Sequence, residues 1–163
     1  MTKKSNVPTF VRMANVMTSA LLRAGVKLMG PGKSPMYLIT VRGRKSGLPR
    51  STPIASIELD GQRYLLTPYG VVDWVRNLRA AGTANLTRGR RTEEVRAVEV
   101  PESEASRILK SFIQTGNPIG KFFGVPAESS QEDFDRLATA HPVFLIQSAD
   151  STIPEGARQA DAA

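Results

Sequence analysis

The chain has 163 residues, 40% hydrophobic and 23% charged, a globular composition long enough to build a core. It has no cysteine and one histidine, which excludes disulfides, thiolate chemistry and metal sites needing two imidazoles, and weakens any Ser-His-Asp proposal. The net charge of +7 belongs to the first third: ten of the 22 Lys and Arg lie between Lys3 and Arg50, and the first acidic residue is Glu58. Such a basic portion reads as a docking surface for an anionic ligand, a lipid headgroup or a nucleic acid. A cysteine-free chain fits the reducing cytoplasm, which is the expected location.

Residues 1–8 are polar and read as frayed. From Thr9 to Met29 the spacing is helical, with Phe10, Met13, Met17, Leu21 and Leu28 on one side and Arg12, Arg23 and Lys27 on the other. These charges exclude a transmembrane span and a signal peptide. The apolar face is expected to rest on the protein's own core; a membrane surface and a lid over a ligand cavity are the alternatives. Gly30-Pro31-Gly32 breaks the helix, and residues 1–35 form an N-terminal amphipathic unit.

A β-rich body is expected over 36–147 and a disordered tail over 148–163. Met36 to Arg42 and Ser51 to Leu59 read as strands, Asp60-Gly61 as a hairpin turn, and Arg63 to Thr67 as a third strand. Val71 to Ala81 has helical spacing, with Gly82 as its stop. Asn85 to Arg88 and Thr92 to Val100 form a hairpin across Gly89-Arg90. A helix over Ser103 to Thr115, a loop with Phe122 and Phe123, a short helix capped by Ser129 with Glu132, and a last strand from Val143 to Gln147 complete the order. The fold class is α+β, a small and largely antiparallel β-barrel of about six strands with an N-terminal helix and flanking helices.

Two stretches carry the chemistry. In Val41 to Arg50 four cations, Arg42, Arg44, Lys45 and Arg50, surround a turn that contains Gly43 and Gly47. Glycines let backbone N–H groups converge on an anion, and the cations add charge-assisted hydrogen bonds. It is not a Walker loop, whose glycine and lysine order is absent. The second stretch, Pro68 to Arg79, sets the only tryptophan, Trp74, on a helix that follows a glycine loop, with Asn77 and Arg79 adding polar and cationic reach. Trp74 is either a core anchor or a cofactor contact. His141, ahead of Pro142, reads as structural.

Gly43-Arg44-Lys45-Ser46-Gly47, then Pro49-Arg50, Thr52-Pro53 and Trp74-x-x-Asn77-Leu78 at this distance resemble the deazaflavin-dependent nitroreductase family. These are split β-barrel oxidoreductases that use coenzyme F420. The resemblance implies that Arg44, Lys45 and Ser46 hold the phosphate and oligoglutamate end of the cofactor. Arg50, Ser51, Thr52, Pro53 and Ile54 would follow its ribityl chain and ring, and Thr67, Pro68, Tyr69, Trp74, Arg76 and Asn77 would complete the pocket. A cofactor with one phosphodiester and several carboxylates calls for clustered cations, and its own hydride chemistry suits a chain without cysteine or metal ligands. The family's usual loop before the Trp helix is longer and contains a lysine; here only Pro68-Tyr69-Gly70-Val71-Val72 intervenes. No tyrosine follows Tyr69, so a tyrosine proton donor from the C-terminal part is excluded and no catalytic residue is assigned.

The expected function is hydride transfer from reduced F420 to hydrophobic, electron-poor small molecules such as quinones, enones and nitroaromatics. The alternatives are a lipid- or fatty-acid-binding barrel that has lost the cofactor, and a flavin mononucleotide enzyme on the same barrel. A nucleic-acid partner is not expected, because no helix-turn-helix, RNP or zinc pattern exists. Peripheral contact with the inner face of the membrane through residues 9–29 and a homodimer are the expected partners beyond substrate. Since the cofactor motifs begin at Arg42, the anion site is expected to form without the N-terminal helix.

Overall fold

The computed structural model describes residues 7–149. Alternating burial along six strands closes them into one antiparallel barrel in the order β1-β2-β3-β6-β5-β4, as expected. The strands are β1 (Met36–Arg42), β2 (Pro49–Leu59), β3 (Gln62–Leu66), β4 (Thr83–Arg88), β5 (Arg91–Glu99) and β6 (Val143–Ser148). Asp60 and Gly61 both adopt positive φ, 51° and 73°, the conformation that a two-residue hairpin turn between β2 and β3 requires. The helices are α1 (Thr9–Arg23), α2 (Asp73–Ala81), α3 (Glu102–Gln114) and α4 (Gln131–Ala140), with short 3-10 turns at Pro31–Lys33 and Pro118–Phe123.

Period-two alternation divides the apolar side chains into two cores. Ile39, Ile54, Leu65, Leu86, Val95 and Phe144, one from each strand, fill the barrel, and Val75 and Leu78 of α2 join them. The intervening residues Ile57, Tyr64, Leu66 and Val143 face outward and are covered by Ile108, Leu109 and Phe112 of α3 and Phe134 of α4. At the α3–α4 contact Ser106, 1% exposed, donates to Asp135 at 2.5 Å, and Gln131 donates to both. That satisfies polar groups which burial would otherwise penalise.

Several boundaries differ from the expected ones. The first helix ends at Arg23, not Met29, because Gly25 takes φ +84°, a left-handed conformation that ends a helix cheaply only at glycine. The capping box of α4 uses Ser130 with Asp133, not Ser129 with Glu132. β2 begins two residues earlier than expected, at Pro49, and β6 runs one further, to Ser148, whose hydroxyl donates to Glu93. The expected frayed N-terminus and disordered tail fall mostly outside the described residues.

The largest departure concerns which way α1 faces. Its apolar side does not rest on the core: Phe10, Met13, Val16 and Met17 are 71%, 72%, 73% and 68% exposed. Only Ser19 and Leu22 are buried, and the helix lies along β1 and β2 on its less apolar side. Helical spacing identifies an apolar stripe but not what covers it.

Candidate functional site

The site is built around the connection between β1 and β2. Antiparallel pairing sets Val41 opposite Arg50, Thr40 opposite Ser51 and Ile39 opposite Thr52, so the two ends of the cationic motif lie side by side. The hydroxyls of Thr40 and Ser51 meet at 2.8 Å. The turn closes with Gly43 N–H donating to Leu48 O at 2.8 Å and Gly47 N–H to Gly43 O at 2.9 Å. A Cβ at Gly43 would sit 2.8 Å from Ser46 Oγ and 3.1 Å from Leu48 O, and Gly47 has φ +70°, so each glycine is dictated by the turn.

This turn packs against the first turns of α2. Asn77 Oδ1 accepts the backbone N–H of Arg44 at 3.2 Å and its Nη1 at 2.8 Å. Asp73 Oδ1 lies 3.4 Å from both Arg44 Nη2 and Arg76 Nη1. Trp74 stands 6.0 Å, centroid to centroid, from Phe144 inside the barrel and also borders the open side, so it is at once core anchor and cavity wall.

Between turn, strand and helix lies a cavity of about 1000 Å³, at the upper end of the range for small-molecule and cofactor sites. Of the residues singled out in the sequence, it brings together Arg44, Lys45 and Ser46 from the turn and Arg50, Ser51, Thr52 and Pro53 from β2. Trp74, Arg76 and Asn77 of α2 complete that set. Ile54, Thr67, Pro68 and Tyr69 do not line it: Ile54 is 7% exposed within the barrel core and Thr67 is 2% exposed. Arg79 points elsewhere, held by Glu99 at 2.8 and 2.6 Å. His141 is also away from the cavity, in contact with the Thr67 carbonyl and the ring of Phe123.

The sequence reading missed the contribution of the N-terminus. Val7, ahead of α1, and Arg12 and Asn15 on it line the cavity beside the turn and β2. No local motif marks these residues, because their role depends on how the helix docks on β1 and β2. Asp73 was missed too, a carboxylate in the first turn of α2 among cations.

The wall therefore offers four cations from the turn, β2 and α2, a fifth from α1, three hydroxyls, one indole and a single carboxylate. That donor set fits a ligand carrying a phosphodiester and carboxylates together with a planar ring, and lacks the carboxylate or imidazole clusters of a metal centre.

Fold and wall together define a small antiparallel β-barrel with a cation-lined ligand cavity on its side. The sequence matches the F420H(2)-dependent quinone reductase family over residues 11–118, and the chain belongs to that family. It is thus an oxidoreductase whose cofactor is coenzyme F420. Among solved structures, a protein described as a domain-swapped dimer is similar at TM-score 0.51 and 20% identity, over 85% of this chain and 97% of that one. An F420-H2 dependent reductase, FDR-A, is similar at TM-score 0.49 and 20% identity, over 75% and 98% of the two chains. A conserved hypothetical protein from Mycobacterium tuberculosis is similar at 0.45 and 15% identity, over 91% and 86%. No curated protein matches the chain.

Proposed function

We propose that the cavity beside the 43–47 turn holds coenzyme F420 and that the chain directs hydride transfer to hydrophobic, electron-poor molecules. Quinones come first, then enones and nitroaromatics. The carrying observation is the convergence of Arg44, Lys45, Arg50 and Arg76 on one cavity that Trp74 also borders. In this reading Arg44, Lys45 and Ser46 bind the phosphate and glutamate end, and Arg50 to Pro53 follow the ribityl chain toward the ring. Ile54 and the Thr67 to Tyr69 segment support the ring end from behind the wall, since they do not reach the cavity themselves. The bound, reduced deazaflavin supplies a hydride. The chain's residues bind and orient: the cations fix the anionic end, Trp74 offers an apolar face, and α1 shields the opening from water. No cavity residue is assigned as proton donor, and His141 is engaged elsewhere.

A fluorescence titration with oxidised F420, followed by turnover of a soluble naphthoquinone with the reduced cofactor, tests this. Failure to bind at tens of micromolar would sink it.

The outward stripe of α1 adds a partner. Among the described residues no helix is long and apolar enough to cross a membrane. We place the stripe flat on an anionic lipid surface, where apolar quinones also partition. The chain carries no acidic residue before Glu58, so this basic first third of the sequence suits an anionic lipid surface. A homodimer is the competing occupant, and the domain-swapped dimer among similar structures supports it.

A further inference from the structure

Arg44 and Asn77 are joined by two bonds to a single atom. Asn77 sits on the second turn of α2 and is only 6% exposed. Its Oδ1 accepts the Arg44 backbone N–H at 3.2 Å and the guanidinium Nη1 at 2.8 Å. One carboxamide oxygen therefore holds the arginine at both ends, at the backbone where the turn begins and at the charged tip. An arginine on an exposed turn otherwise samples many rotamers, and binding an anion would have to freeze them. Here they are frozen beforehand.

The other terminal guanidinium nitrogen, Nη2, meets Asp73 Oδ1 at 3.4 Å, and the Asp73 side chain is 72% exposed. So long and solvent-screened a pair is worth little, and an incoming anion can displace it easily. The strong contact, by contrast, is to the buried neutral amide, which does not compete with a ligand for charge.

We propose that Asn77 is the positioning residue of the anion site: it acts through Arg44, presetting the guanidinium for the anionic end of the cofactor, with Asp73 as a displaceable counter-ion. This rests on the cofactor assignment made above.

The test is a double-mutant cycle on the dissociation constant of oxidised F420, using the full chain, Asn77→Ala, Arg44→Ala and the double variant. Hydrogen exchange of the Arg44 amide without ligand is measured in parallel. If Asn77 works through Arg44, Asn77→Ala weakens binding about tenfold, flattens the salt dependence as Arg44→Ala does, and adds nothing in the double variant. Exchange of the Arg44 amide should also accelerate. Losses that multiply in the double variant, or an unchanged Arg44 exchange rate, would overturn the proposal. If Asn77→Ala does not fold, Arg44→Lys at the exposed turn carries the test, because it keeps the charge and loses the fork. Affinity close to that of Arg44→Ala supports positioning, and wild-type affinity overturns it. A wild-type chain that binds no F420 would instead defeat the cofactor assignment, while the exchange rate still decides whether Asn77 holds Arg44.

Discussion

His141 donates its Nδ1 proton to the carbonyl oxygen of Thr67 across 2.8 Å, and because a carbonyl only accepts, the bond fixes the imidazole tautomer. The same ring meets Phe123 edge-on at 5.1 Å. Thr67 in turn donates its hydroxyl to Gly70 O at 2.6 Å, so the only histidine braces the link from β3 toward α2.

His141→Ala should therefore destabilise the fold by about 1–3 kcal/mol, the range for leaving a buried acceptor unpaired. Chemical denaturation is the measurement. A variant as stable as the wild type would show that water replaces the imidazole without loss.

Lys45 is exposed on the turn, lines the cavity, and makes no ion pair among the described residues. Lys45→Ala should weaken F420 binding by about 1–3 kcal/mol and leave stability within about 0.5 kcal/mol of wild type. Affinity should also fall as salt rises from about 50 to about 500 mM, since charges at an open rim are screened over a few ångströms. Salt-independent binding would mean that the anion site lies elsewhere.

The stripe on α1 makes a separable prediction. Met13→Ser with Met17→Ser should abolish co-sedimentation with vesicles containing anionic lipid, because each buried apolar side chain contributes about 1.5–3 kcal/mol. Thermal stability should not change, as both side chains face solvent. Unchanged vesicle binding accompanied by a shift from dimer to monomer would assign the face to a second copy of the chain.

Arg63 grips Glu93 with both guanidinium nitrogens, at 3.1 and 2.7 Å, across the barrel wall. Hydrogen bonding to Arg63 holds the Glu93 carboxyl below its ordinary value of 4.5, and Ser148 adds to the effect. A carboxyl lowered in the folded state favours folding above its unfolded value and loses that contribution as pH falls through the folded one. Stability should thus decline below about pH 4.5, and Glu93→Gln should make that acid limb shallower. An acid limb identical in wild type and variant would discard this pair as a contributor.

The strands and the cation cluster were legible because their signals are local. Alternation along Met36 to Arg42 encodes a strand, and two glycines between cations encode a tight turn wherever the turn sits. What could not be read depends on docking. The stripe from Phe10 to Leu21 has the same spacing whether it faces a core or solvent, so its outward orientation had no sequence signature. The α4 cap had two equivalent registers, since Ser129-Ser130 and Glu132-Asp133 are adjacent pairs. Packing chose the one that leaves Phe134 fully buried. Val7, Arg12 and Asn15 reach the cavity only through the placement of α1, and Arg79 leaves it only because Glu99 lies across the barrel end.

The barrel's circumference is not equally strong all the way round. β1 and β2 are matched over seven residue pairs, from Met36 with Ala55 to Arg42 with Pro49. β1 and β4 meet over three: Leu38 with Thr87, Ile39 with Leu86 and Thr40 with Asn85. A closed cylinder has no free edge to recruit another strand, so exchange of strands between molecules must begin by unzipping a seam. The β1–β4 seam has the fewest rungs to break of these two, and it borders the strand that leads into the cationic turn. Amide protons whose hydrogen bonds bridge β1 and β4 should therefore exchange ahead of those that bridge β1 and β2. In mechanical terms the molecule is a clasp, hinged along β2 and fastened beside its own ligand site.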